Sequence, residues 1–387
     1  MIVRRAVLAV LLAALGVGAS AGPARATPPP ARPHVPVYAY FYQWFDPGSW
    51  DRAKQDYPLA GRYSSDDPHV LRDQVTAARG AGIDGFLTSW KSTPNLNRRL
   101  TLLLQVAHDE KLDIGVVYEA LDFQRKPLPI ATVRADLLYL VRRWGSDLRS
   151  SYYHRPVIVW TGTDQYPVAD VAAVRAALGS SAYLLAASKS VAGYQRVAAH
   201  VDGEAYYWSS ANPRSASTRQ RLVDMGAAVH RDRGLWIAPA AGGFDGTTLG
   251  HSRVIDRRDG RTLVRSLDNA YASRPDAVGV ISWNEWSENT YIEPGRRYGG
   301  EELDVLRSYL AARTGASPSS SPPLSAPPAT SAPHGTWTGL KAVLLLTVVV
   351  AVGLVVLTLR ASDRGRRDAR DIGVHRHQAD RKLDRIH

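Results

Sequence analysis

Eight short, mostly apolar runs, each followed by a helix-patterned segment, predict a (β/α)8 barrel between about residues 34 and 313. The runs are near-continuously apolar rather than alternating, as expected of parallel strands covered on both faces. Eight such units in roughly 280 residues match the size of that barrel. The competing doubly wound sheet would place a ligand at a switch point. No Gly-rich phosphate loop follows the first run, which argues against it.

The units follow one another along the chain. Val35 to Phe41 precedes the helical pattern Asp67 to Gly80, Gly82 to Trp90 precedes Asn95 to Lys111, and Asp113 to Glu119 precedes Ile130 to Leu148. Pro156 to Thr161 precedes Val168 to Leu178, Ala182 to Ala187 precedes Val191 to Ala199, and Gly203 to Tyr207 precedes Ser217 to Arg233. Leu235 to Pro239 precedes Arg261 to Ala272, and Ala277 to Trp283 precedes Glu302 to Arg313.

The flanks read differently. Arg4 and Arg5 precede the apolar run Ala6 to Val17, and Ala24-Arg25-Ala26 offers small residues where a signal peptidase cuts, so residues 1–26 are expected to be a secretory signal. Residues 314–336 are almost wholly Ser, Pro, Ala, Thr and Gly, a composition that cannot bury a core and is expected to form a linker. Within 341–360, Ala342 to Leu359 is uninterrupted by charge and would span about 27 Å as a helix, enough for a bilayer core. The basic tail 361–387 is then expected in the cytoplasm and the barrel outside, anchored in the cell membrane by a single pass.

The net charge of +12 suggests nucleic acid until it is apportioned. Setting aside the three arginines before Thr27 and the net +5 after Leu340 leaves +4 for everything between, so no nucleic-acid partner is expected. There is no cysteine, which excludes disulfides, thiolate metal sites and a cysteine nucleophile. The eleven histidines show no HExxH or similar helical pairing, so neither a metal nor a cofactor is expected. His251 follows the Gly242 to Gly250 loop after the seventh strand and could reach the barrel mouth. The barrel is expected to be a monomer.

Barrel chemistry sits at the C-terminal strand ends. Here those ends carry aromatics and carboxylates: Tyr40 to Phe45 on the first strand, Ser89-Trp90-Lys91 on the second, Tyr118-Glu119 on the third and Tyr206-Tyr207-Trp208 on the sixth. Five strands ending this way, the eighth included, suggest a cleft for a ring-shaped, hydroxyl-rich ligand, an oligo- or polysaccharide. The eighth run opens into Ser282-Trp283-Asn284-Glu285-Trp286-Ser287-Glu288-Asn289-Thr290-Tyr291-Ile292-Glu293-Pro294. Two carboxylates three residues apart, Glu285 and Glu288, fit the acid and base that glycosidic bond cleavage needs. Trp283 and Trp286 could stack on sugar rings, or wall off one glutamate and raise its pKa. The residues alone do not order the two roles.

This strand-eight segment resembles the signature of glycoside hydrolase family 99, the endo-α-1,2-mannosidases and mannanases, and of the wider family 71/99-like group. Further likenesses are Tyr40-Phe41-Tyr42-Gln43-Trp44-Phe45, Ala81 to Phe86 leading to Ser89-Trp90, Tyr118-Glu119, and Gly242-Gly243-Phe244-Asp245-Gly246-Thr247. The resemblance implies retaining cleavage of an internal α-mannosidic bond. Glu285 would deprotonate the substrate's own 2-hydroxyl, which attacks the anomeric carbon, and Glu288 would act as acid and then base. Glu119 would bind substrate hydroxyls, with Trp90 and Tyr42 shaping the adjacent subsite. Tyr40, Tyr206, Tyr207, Asn284, Trp286 and Asp245 complete the expected binding set. The family motif carries His and Gly where this chain has Ser287 and Asn289, a departure that bears on mannoside specificity. Two other functions fit the organisation of the chain: a non-catalytic carbohydrate-binding barrel, and a factor that assembles or trims cell-envelope polysaccharide.

Overall fold

A computed structural model describes residues 34–314 apart from 123. The expected signal (1–26), membrane span (341–360) and basic tail (361–387), and the linker from residue 315 on, lie outside these. No helix among the described residues is long and apolar enough to cross a membrane.

The chain runs β1 (Val37–Tyr42), α1 (Pro68–Gly80), β2 (Gly85–Trp90), α2 (Pro94–Glu110), β3 (Asp113–Tyr118), α3 (Ile130–Trp144), β4 (Val157–Thr161) and α4 (Val168–Leu178). It continues through β5 (Tyr183–Ala187), α5 (Val191–Val197), β6 (Gly203–Ala205), α6 (Ala216–Arg231), β7 (Leu235–Ala241), α7 (Arg261–Ala272), β8 (Ala277–Ile281) and α8 (Glu301–Thr314). All eight strands pair in parallel and in sequence order, and β8 closes on β1 with Val278 opposite Val37. This is the expected (β/α)8 barrel. A small antiparallel pair, Phe244–Asp245 with Val254–Ile255, decorates the β7–α7 loop. α3 ends four residues earlier than expected and β2 begins three residues later, and β6 is two residues shorter. Strand β6 stops at Ala205, because Tyr206 and Tyr207 leave the ladder and are held by their hydroxyls instead.

Alternate residues of each strand sort into two layers. Val37, Ala39 and Phe41 of β1 pack outward with the helices. Tyr38 and Tyr40 point inward, beside Leu87, Val159, Leu185, Ile237 and Ile281. Two glycines make room for those rings: a Cβ on Gly85 would lie 2.5 Å from Tyr38 Cε1, and one on Gly279 would lie 2.8 Å from Tyr40 Cε2. Side-chain caps end the loops that enter the first two helices. Asp67 accepts from the His69 N–H at 2.9 Å, and Thr93 accepts from the Leu96 N–H at 3.4 Å, with Pro68 and Pro94 at the first helical positions. A third apolar cluster, Tyr42, Phe45, Trp50, Tyr63, Trp286 and Tyr291, seats the long β1–α1 loop against the segment after β8. That cluster forms one wall of the mouth.

Candidate active site

Beyond β8 the chain folds back on itself. The Ser282 N–H donates to the Thr290 carbonyl at 2.9 Å and the Ile292 N–H to the Ser282 carbonyl at 2.9 Å, so residues 283–289 form a loop tied at its base. Inside it, the Ser282 hydroxyl accepts from the Glu285 N–H at 2.8 Å. The buried Asn284 carboxamide clasps the end of β1, accepting from the Tyr42 N–H at 2.8 Å and donating to the Tyr42 carbonyl at 3.0 Å. The loop carrying the two glutamates is thereby fixed to the strand that carries Tyr42.

Both carboxyls are half-buried. Burial, and next the charge of Glu288, push Glu285 up to about 8, against the pull of the Ser287 N–H and of Lys54. The Ser287 N–H donates to Glu285 Oε1 at 3.2 Å. Burial likewise raises Glu288, opposed by the Ser209 hydroxyl, His251 and Arg125. Glu288 Oε2 is buried with no hydrogen-bond partner among the described residues, an oxygen whose bonding a substrate group can complete. The charge of Glu288 disfavours ionisation of Glu285, so the two carboxyls are coupled and titrate as a pair. Such coupling lets one act as acid while the other acts as base.

Around the pair stand Tyr42 and Tyr207, whose hydroxyls are 2.9 Å apart. Burial and the charges of both glutamates hold these phenols well above their ordinary range, so they remain donors. Glu119, at the end of β3, is also raised by burial; it accepts from the Ser89 hydroxyl at 2.9 Å and is opposed by Arg125 and Lys91.

Of the residues expected from sequence, the mouth gathers Glu285, Glu288, Glu119, Tyr42 and Tyr207. The others stand elsewhere. Trp90 is 0% exposed on the outward side of β2, packed against Tyr118 and Trp144, with its indole N–H on Asn97 of α2 at 3.0 Å; it cannot touch a ligand in the mouth. Tyr206 also faces outward, bonded to the Lys189 carbonyl. Tyr40 fills the barrel interior. Trp286 is buried in a stack with Tyr291, ring centroids 4.0 Å apart, so it walls the site without offering a sugar platform. Trp283 is buried in the outer layer. Asn284 acts on backbone, and Asp245 caps its own turn through the Thr247 N–H and hydroxyl.

Sequence reasoning did not nominate Trp44, Lys54, Arg125 or Ser209. Trp44 lies within the quoted first-strand motif, is 40% exposed, and stacks on Tyr42 with centroids 4.3 Å apart. It is an accessible indole beside Tyr42, of the kind that Trp90 and Trp286 were expected to supply. Lys54, Arg125 and Ser209 stand on unpatterned loops, where only the closed barrel brings them near the glutamates. His251 does come within electrostatic reach of Glu288. No group of three or more His, Asp or Glu among the described residues is placed to hold a metal.

The sequence model of glycosyl hydrolase family 99 matches residues 41–306. The chain belongs to this family. Membership makes it a glycoside hydrolase, and it fits the tied loop with its carboxyl pair. Among similar proteins is the mouse glycoprotein endo-alpha-1,2-mannosidase-like protein, 22% identical over 340 residues, covering 71% of this chain and 73% of that protein. The human protein of the same description is 21% identical, covering 63% of this chain and 58% of its own length. Among solved structures, the family 99 endo-alpha-mannosidase from Bacteroides thetaiotaomicron aligns with a TM-score of 0.63 at 18% identity, covering 73% of this chain and 98% of that one, a likeness of fold.

Proposed function

We propose that this family 99 protein cleaves internal α-mannosidic bonds in an oligo- or polysaccharide with retention, using Glu285 and Glu288. The observation that carries the reading is the pair itself: two raised carboxyls on one tied loop, the charge of Glu288 opposing ionisation of Glu285. Glu285 takes the proton of the substrate 2-hydroxyl as that oxygen attacks the anomeric carbon, and Glu288 gives its proton to the departing glycosidic oxygen. The 1,2-anhydro sugar so formed is opened by water. Glu288 takes the water's proton and Glu285 returns the other to the 2-oxygen. Each step inverts the anomeric carbon, so the outcome is retention. Similarity to the endo-alpha-1,2-mannosidase-like proteins and to the bacterial endo-alpha-mannosidase supports mannose as the sugar. Tyr42, Tyr207 and Glu119 supply donors and an acceptor for hydroxyls, and Trp44 an apolar face.

The same reading tethers the enzyme outside the cell through the apolar run Ala342 to Leu359. His34 and Arg313, near the two ends of the described chain, line one cleft with Pro36, Leu235 and Pro275, beside the N-terminal strand ends.

The test is to incubate the purified protein with α-1,2-linked mannan and follow released oligosaccharides by proton NMR. The α-anomer of the new reducing end should accumulate first; the β-anomer first, or release of nothing but single terminal mannoses, would sink the reading. Trp44→Ala should raise KM by about tenfold with kcat nearly kept, because it removes contact area and no titrating group. An unchanged KM would remove Trp44 from the binding surface.

A further inference from the structure

We infer that Arg257, on the β7–α7 loop, is a positioning residue that aims Glu288 by fixing the backbone on its C-terminal side. The inference rests on reading Glu288 as the acid. Arg257 is a buried guanidinium. Its Nη2 donates to the Asn289 carbonyl at 3.1 Å, to Asn289 Oδ1 at 3.4 Å and to the Tyr291 carbonyl at 2.7 Å. Its Nη1 lies 3.2 Å from Oε1 of the buried Glu302, at the start of α8. The plane of the guanidinium is held over the Tyr291 and Tyr298 rings, 4.4 and 4.6 Å from their centroids. One side chain therefore ties the far limb of the catalytic loop to a helix of the barrel.

The contacts bear on Glu288 in particular. Its own carbonyl accepts from the Asp245 N–H at 2.7 Å, while the next carbonyl, that of Asn289, is held by Arg257. With the two successive peptide planes pinned from different sides, the direction of the Glu288 Cα–Cβ bond has little freedom. Asn289 stands at φ +54°, a left-handed conformation that suits Gly, and that Asn tolerates better than most side chains. Its carboxamide adds a second acceptor for the same guanidinium. The exit of β7 is shaped around the pair: a Cβ on Gly242 would lie 2.7 Å from Glu302 Oε2, and one on Gly243 would lie 2.7 Å from Arg257 Cγ. Lysine cannot replace this arrangement, since a single ammonium cannot place one nitrogen on the loop carbonyls and a second beside Glu302.

The test compares the single-turnover rate of bond cleavage for an α-mannan oligosaccharide with that for the same glycone bearing fluoride, a leaving group that needs no protonation, in Arg257→Lys and Glu288→Gln. Misaiming the acid by a fraction of an ångström should cut Arg257→Lys turnover on the natural bond by about 10- to 100-fold, with KM little changed, and on the fluoride by no more than about threefold. A purely structural role would lower both rates alike. Equal losses, or no loss in a folded variant, overturn the inference. Should Arg257→Lys not fold, Asn289→Gly, which deletes only the second acceptor, decides by the same comparison: a deficit confined to the natural bond supports the inference, and none overturns it. The Glu288→Gln arm separates this from the functional reading. Full activity there refutes the acid assignment itself. A Glu288→Gln variant rescued on fluoride, beside an Arg257→Lys variant impaired equally on both substrates, refutes the positioning role alone.

Discussion

Replacing Glu285 or Glu288 by glutamine is expected to lower kcat on an α-mannan by at least about 10²-fold, with sugar affinity nearly intact. The amide keeps the shape of each side chain and removes its proton chemistry. Neither substitution should unfold the domain, since both carboxyls are half-buried at the mouth and neither forms an ion pair among the described residues. An activated leaving group distinguishes the two. Glu288→Gln should recover much of its rate of leaving-group release in a single turnover, because departure then needs no acid, whereas Glu285→Gln should not, because the 2-hydroxyl still has to lose its proton. Calorimetric titration of a mannan oligosaccharide checks the affinity. Full activity in both variants would remove the pair from the mechanism, and the opposite rescue pattern would exchange their roles.

The second large effect is on pH dependence. With burial and mutual repulsion holding a proton on the pair up to about pH 8, activity should be bell-shaped. As pH falls below the lower apparent pKa both carboxyls are protonated and the base is lost. As pH rises past about 8 both are ionised and the acid is lost, so kcat/KM should drop about tenfold per unit there. In Glu288→Gln, assayed by single-turnover release of fluoride, one glutamate remains and only the base matters. Its activity should rise with pH and level off below 8, because the neighbouring charge that helped raise Glu285 is gone. A mid-point unmoved from the wild-type alkaline limb would mean that the two carboxyls do not sense each other.

Much of this protein was legible in its sequence. Eight apolar runs alternating with helical patterns settle on a barrel because periodicity and apolar patterning are local properties, and Val168–Leu178 and Arg261–Ala272 are helices as read. The carboxyl pair was legible for a similar reason. Glu285 and Glu288 share one short segment directly after a buried strand, so no knowledge of distant contacts was needed to bring them together.

Which aromatics face the mouth was decided only by the tertiary structure. Leu87, Val117 and Ala205 point inward, so Ser89, Glu119 and Tyr207 continue that side while Trp90 and Tyr206 fall on the other. Strands apolar on both faces carry no alternation from which to read that parity. The same limit hid Trp44 as the exposed platform, which glutamate is raised to about 8, and the grip of Arg257 on Asn289. Each depends on loops from separate strands meeting over a closed barrel. Burial and charge are properties of that meeting, and no single segment of the chain contains them.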